Sequence, residues 1–250
     1  MTNISIECFF NQQKGVAKLL QYLIAKIIFA VRNKLIMSYD ILQPIPQGGN
    51  GAQDAEDSRI TEIADELERL CRIHEAQRGA GQSDVVSLED EQRVAEQMAK
   101  AAGYWIPMTD VFDLGVPGPS GNENDTYVAD NYIYKVNNLF NSGSITGLLR
   151  KIWMHNQIFP ETAYSFCGFC GFDGRTVLPV IRQARVSDAR PATSVMIDTY
   201  MGALGFEKTD KPGHFNNDIY EVWDVLPRNV LVDSEGDLFV VDAEIALKKV

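Results

Sequence analysis

Cysteine is scarce in this sequence, four in 250 residues, and no signal peptide with a cleavage site precedes them. So few thiols cannot staple a secreted fold of this length, which points to a reducing cytoplasm. Only three histidines are present, at His74, His155 and His214. They make no Ser/His/Asp set around a nucleophile elbow. Long apolar runs are missing too. Within residues 16–36 the longest charge-free stretch, residues 19–25, is far short of the ~20 residues a membrane-spanning helix needs. Basic residues are outnumbered, 23 against 34 acidic ones, for a formal charge of −11. Phosphate-rich polymers are repelled by such a chain, and no nucleic-acid partner is expected. What remains is ordinary for a globular protein, 45% apolar and 23% charged, enough for one large domain or two small ones.

The acidity is uneven. Residues 1–50 carry five basic and two acidic side chains, whereas residues 51–110 carry six and fourteen. Residues 1–45 read as a basic apolar helical segment. It leaves open a helix lying on a membrane surface by residues 16–36, a docking helix, or sequence upstream of a start at Met37. Residues 46–58, rich in Gly, Gln and Asp, read as a linker. Ile60, Ile63, Leu67, Leu70 and Ile73 then recur at spacings of three and four, one apolar helix face. Ser87 with Asp90 is a capping-box start and Gly103 a stop, so a second helix covers about 88–102. Residues 59–104 are thus a charged two-helix lead-in, and residues 105–250 the main domain.

From residue 111 the texture changes to short strands. A strand is expected over 111–115, followed by the glycine-rich turn Gly115-Val-Pro-Gly118-Pro-Ser-Gly121. A hairpin follows over 126–128 and 132–136, then a helix over 145–157. Strands at about 165–170 and 176–182 meet at Gly171-Phe-Asp-Gly174. A helix over 192–204 stops at Gly205, and strands over 220–224, 230–232 and 238–242 close the pattern. The fold class is α+β.

The residues with the clearest chemistry lie in Asp224-Val-Leu-Pro-Arg-Asn229 and in the hairpin that ends on Asp242. An Asp and an Asn five apart on a loop can point at one spot, and an Asp ending the following hairpin can join them. Two hard oxygen donors suit Mg²⁺ beside a nucleotide, leaving one carboxylate to take a proton from a hydroxyl. Upstream, Lys135 in Tyr-Ile-Tyr-Lys-Val is the only Lys or Arg between residues 111 and 143.

In this order the elements resemble a protein kinase: a glycine turn, a strand lysine, D-x₄-N, and an Asp thirteen residues further on. The flanking residues narrow the resemblance. Gly121-Asn-Glu-Asn-Asp-Thr-Tyr, Tyr134-Lys-Val-Asn-Asn-Leu139, His155-Asn-Gln-Ile-Phe-Pro160 and Val222-Trp-Asp-Val-Leu-Pro-Arg-Asn-Val-Leu231 are similar to the protein-kinase domain of polyvalent proteins. Those are large multi-domain proteins of phages and conjugative elements. The resemblance covers about residues 100–250. It implies a minimal kinase-like fold, with an antiparallel N-lobe sheet and a reduced C-lobe, and an ATP/Mg²⁺-dependent phosphotransferase. Lys135 and Asp224 would be catalytic, Asn229 and Asp242 metal ligands. Gly118, Gly121, Asn122 and Lys135 would hold the phosphates, and Leu178 and Val180 would lie against adenine. The acceptor would be a protein or small-molecule hydroxyl.

The sequence departs from the kinase pattern at several points. No acid lies between Ser142 and Phe159, where the helix that pairs the lysine should carry Glu. Val222-Trp223 replaces His-Arg before Asp224, Ala-Glu follows Asp242, and eight residues remain after it. A non-catalytic nucleotide-binding or interaction module is the alternative. Cys167-Gly-Phe-Cys170 lacks the further ligands of a zinc site and the strand-to-helix setting of a redox motif, so it reads as a buried strand pair.

Overall fold

A computed structural model describes residues 51–77, 86–172 and 176–248. The segment 16–36, Cys8 and the start of the linker lie outside the described residues, as does most of the Gly171–Gly174 turn. Helix α1 (Gly51–Gln77) begins before the expected boundary, and residues 51–58 are its first two turns. The linker reading of those residues is corrected by Asp57, which is buried three positions before Ile60 on the same stripe. It accepts hydrogen bonds from Asn156 Nδ2 at 2.7 Å and Gln157 Nε2 at 2.9 Å. A polar residue with polar partners continues the face that apolar periodicity alone starts at Ile60. Burial pushes the Asp57 carboxyl up, partly offset by its hydrogen bonds from Asn156 and Gln53.

Helix α2 (Leu88–Ala102) is capped as its sequence predicts. Ser87 Oγ accepts from the Asp90 N–H, and Gly103 ends the helix at φ 77°. The expected strand over 111–115 does not form: Val111 ends a single helical turn, α3 (Met108–Val111), and residues 112–115 are turn and bend. Val111 is buried there against Val136, Cys170 and Val180, so its apolar character serves packing on a sheet face rather than strand pairing.

Strands β1 (Val116–Pro117), β2 (Asn124–Val128), β3 (Tyr132–Asn137), β4 (Tyr164–Phe172) and β5 (Thr176–Ala184) form one antiparallel sheet in the order β1-β2-β3-β5-β4. Helix α4 (Ile145–Ile158), between β3 and β4, packs on one face together with α1 and α2. Its N-terminus is capped twice: Ser144 Oγ accepts from Gly147 N, and the buried Glu91 of α2 accepts from Ile145 N, Thr146 N and Thr146 Oγ1. The core on this face joins Ile60, Leu67, Val94 and Ala95 of the lead-in to Leu148, Ile152, Phe166 and Ile181.

The Cys167–Cys170 pair sits in β4, across a bulge between Phe166 and Gly168. Its thiols are free and burial pushes both up to about 11, which leaves them protonated and inert. Gly168 has a steric reason. Residues 104–106 run beside β4, with Phe169 N donating to Tyr104 O and Ile106 N to Phe169 O. A Cβ at Gly168 would meet Tyr104 O at 2.3 Å. Gly168→Ala is expected to push that segment off the sheet edge and cost roughly 1–3 kcal/mol, read as a melting temperature lower by several degrees. An unchanged melting temperature would show that the segment moves aside freely.

The remaining chain builds a second, smaller core around Phe159, Ile197, Met201, Phe215, Val222 and Val230. Helix α5 (Ser194–Ala203) is preceded by β6 (Arg190–Pro191) and stops at Gly205, φ 84°. Three-stranded β11-β10-β6 and four-stranded β12-β9-β8-β7 sheets lie beside it. They use β7 (Glu207–Lys208), β8 (Phe215–Asn216), β9 (Tyr220–Trp223), β10 (Val230–Val232), β11 (Leu238–Val240) and β12 (Glu244–Leu247). The β10–β11 turn is held by Asp233 Oδ1, which accepts from the N–H groups of Glu235, Gly236 and Asp237. Strand β12 was not expected. It pairs Glu244 with Trp223 and so carries the chain after Asp242 back along the strand that leads into Asp224.

Candidate active site

Register brings the D-x₄-N loop and the hairpin end together. Val230 pairs with Val240, and Val241 N donates to Asn229 O at 2.9 Å. Asp242 is therefore next in chain to a residue bonded to Asn229. Asp224 has φ 62°, a left-handed conformation that Asp tolerates better than most residues. Asn229 Nδ2 donates to Asp224 O and to Asp224 Oδ2, each at 2.8 Å, and Arg228 pairs with the other carboxylate oxygen. Asn229 Oδ1 and the Asp242 carboxylate make no hydrogen bond or ion pair among the described residues.

Lys135 and Asp242 line one narrow crevice between the five-stranded sheet, helix α4 and residues 242–243 after β11. Lys135 is buried, and its Nζ donates to Tyr164 Oη at 2.9 Å and to Val241 O at 3.0 Å. Tyr164 Oη in turn donates to Val241 O at 2.8 Å, and its ring lies 4.8 Å from Nζ. The lysine is thus fixed by a tyrosine and a carbonyl, neither of them charged. Burial, then the charge of Asp242, hold the Tyr164 phenol well above its ordinary range, so it stays a donor.

Helix α4 offers the crevice Lys151 and His155 instead of a carboxylate. Lys151 Nζ lies 3.3 Å from Glu123 Oε1 and 3.2 Å from Glu244 Oε1. Burial pulls its pKa down, but Glu244, Glu123 and Asp242 together outweigh that and raise it. His155 is pushed down to about 3 by burial and by the charge of Lys135, so it is neutral. Its Nε2 lies 3.2 Å from Thr162 O and carries the proton for that bond, leaving the buried Nδ1 unpaired.

Other expected contacts fall elsewhere. Leu178 and Val180 face away from Lys135. Lys135 pairs with Ile181, which lines the crevice, while Val180 packs with Val111 and Val136 on the opposite face of the sheet. Gly121 and Asn122 are exposed and Gly118 is half-buried, and all three lie outside the crevice lining. The Gly118 and Gly121 N–H groups already donate to Thr126 O and Asn124 O within the turn. From that turn it is Asn124 that lines the crevice, with its Oδ1 accepting from Asn137 Nδ2. Gly118 is needed for close packing, since a Cβ there would sit 2.7 Å from Thr126 Oγ1.

Residues 88–249 match the family described as Serine/Threonine/Tyrosine Kinase found in polyvalent proteins. The chain belongs to this family. No curated protein and no solved structure matches it. The kinase-like α+β fold follows: the five-stranded sheet with α4 is the N-lobe, and α5 with the short sheets is a reduced C-lobe. The polyvalent-protein kinase match begins with α2, so the helix that caps α4 through Glu91 lies within it. Among the described residues no three His, Cys, Asp or Glu side chains are grouped to hold a metal, and no helix is long and apolar enough to cross a membrane. Lys151, Tyr164 and Glu244 were not singled out by sequence. Lys151 stands three residues after Leu148 and four before His155 on the buried side of α4, and that spacing was its only signal.

Proposed function

We propose that this protein transfers the terminal phosphoryl group of ATP, in the presence of Mg²⁺, to a hydroxyl acceptor. The observation that carries the reading is the meeting of Lys135 and Asp242 in one crevice, from two lobes tied together at Val241 O. The donor set fits the cofactor. Asn229 Oδ1 and the Asp242 carboxylate are hard oxygens without partners among the described residues, on adjoining backbone. Lys135 spends two of its N–H donors on neutral oxygens and makes no ion pair among the described residues, which suits it to phosphate oxygens.

Mg²⁺ held by Asn229 and Asp242 would neutralise charge developing on the phosphates. Asp224 accepts the proton of the attacking hydroxyl, after Arg228 swings off the carboxylate oxygen it now occupies. Arg228 is mostly exposed and free to do so. Asn229 aims the Asp224 carboxylate through its hydrogen bond to Oδ2 and anchors the backbone there through its bond to Asp224 O.

A non-catalytic nucleotide-binding module is the second reading, favoured by the engagement of both Asp224 oxygens. Transfer of labelled phosphate from ATP separates the two. Asp224→Asn is expected to keep the ATP-induced rise in melting temperature and to lose transfer by ~10²–10⁴-fold. Asp242→Asn is expected to lose the Mg²⁺-dependent part of that rise. ATP stabilisation without any transfer by the wild type would leave the binding module standing; no ATP response would remove both readings.

A further inference from the structure

Four pieces of chain meet at Lys151. Glu123 belongs to the turn that enters β2, Asn141 to the β3–α4 connection, Lys151 to α4, and Glu244 to the first position of β12, two residues after Asp242. Lys151 Nζ reaches both carboxylates. Asn141 Nδ2 ties the same two together, donating to Glu123 Oε2 at 2.9 Å and Glu244 Oε1 at 3.0 Å. The Lys151, Glu123 and Glu244 side chains are only 13%, 8% and 17% exposed, so screening by solvent is weak. Two carboxylates brought this close repel one another, and the Lys151 cation between them offsets that repulsion. In the kinase pattern a helix carboxylate pairs the strand lysine. Here the helix carries the cation, the acids come from the loop and from the strand after Asp242, and Lys135 is left to Tyr164.

We propose that Lys151 is the positioning residue of this site: through Glu244 it fixes Asp242, and through Glu123 it draws the β1–β2 turn down over the crevice. The role rests on the nucleotide reading above. Without Lys151, Glu123 and Glu244 repel one another, the turn parts from β12, and Asp242 loses the strand that sets its direction. The bridge acts on the metal ligand rather than on the phosphates, because Lys151 is already shared by two carboxylates.

The test is the Mg²⁺ concentration that half-saturates ATP binding, measured by calorimetry on the full chain at a temperature where circular dichroism shows each variant folded. Lys151→Met is expected to raise it at least tenfold, and Lys151→Arg to stay within threefold. In the charge-swapped Lys151→Glu/Glu244→Lys protein, most of the loss is expected to be recovered. A packing role alone would lower the melting temperature without moving the Mg²⁺ midpoint, so a folded Lys151→Met protein with an unchanged midpoint overturns the proposal. If Lys151→Met does not fold, the swapped pair decides: a folded pair with a midpoint shifted tenfold or more overturns it. A wild type with no ATP response is a different failure, which removes the nucleotide reading and this role with it.

Discussion

Lys135→Met is expected to leave the protein at least as stable as the wild type while removing most of its affinity for ATP. The two effects have opposite causes. In the folded chain Lys135 is buried and its partners are a phenol and a carbonyl, so the cost of taking an ammonium out of water is repaid only by neutral hydrogen bonds. Methionine fills much the same volume without that cost. It also strands no partner, because Tyr164 Oη keeps its bond to Val241 O. Replacing a buried charge in this way is neutral or stabilising in many proteins, by about 1–4 kcal/mol. The nucleotide loses a charge-assisted hydrogen bond worth ~1.5–3 kcal/mol, which corresponds to roughly 10- to 150-fold in Kd. Thermal melting with and without Mg²⁺·ATP measures both halves. A melting temperature several degrees lower would make Lys135 a structural tie between lobes, and an unchanged Kd would remove it from the nucleotide site.

The loop Asp224–Asn229 and the hairpin that ends near Asp242 were legible because their logic is local. The spacing of five and then thirteen residues fixes which backbone groups pair, and Val241 N on Asn229 O follows from the Val230–Val240 register. Lys135 was legible as an isolated cation in a strand pattern. Which side chains of β5 face the crevice was not. Side chains in a strand alternate, so a choice displaced by one residue lands on the wrong face, and Leu178 and Val180 point away where Ile181 points in. The charges that organise the crevice are distant in sequence: 28 residues separate Lys151 from Glu123 and 93 separate it from Glu244. No periodicity reports such pairs. Asp57 and Glu91 were hidden for a further reason. Acids near the start of a helix read as its ordinary exposed polar residues, and only tertiary contacts show that these two face inward.

Those two residues lead to the second large expected effect: a chain starting at residue 105 should not fold, whereas one starting at residue 51 should. The boundary suggested by composition separates a charged lead-in from a strand-rich domain. In the structure the lead-in supplies eight of the 18 buried side chains in the core between α4 and the sheet. Ile60, Ile63, Leu67 and Val94 are 0–4% exposed, and at about 1.5–3 kcal/mol for each buried side chain they contribute roughly 6–12 kcal/mol. That is comparable to the whole stability of a typical domain, ~5–15 kcal/mol. Truncation also orphans polar groups. Ile145 N and Thr146 N lose Glu91, Asn156 and Gln157 lose Asp57, and Phe166 N loses Glu56 Oε1. A start at residue 88, where the family match begins, keeps the Glu91 cap but removes the Asp57 acceptor of Asn156 and the Glu56 acceptor of Phe166 N. It should fall between the other two, with reduced cooperativity and exposed apolar surface that binds a hydrophobic dye. Circular dichroism melts of the three lengths, with Glu91→Gln in the 51–250 chain as a single-site control, give the order. A cooperative transition at the same temperature for 105–250 and 51–250 would show the lead-in to be an appendage. The predicted order would make it part of the kinase-like unit, since the helix it holds at both ends is the one that presents Lys151 and His155 to the crevice.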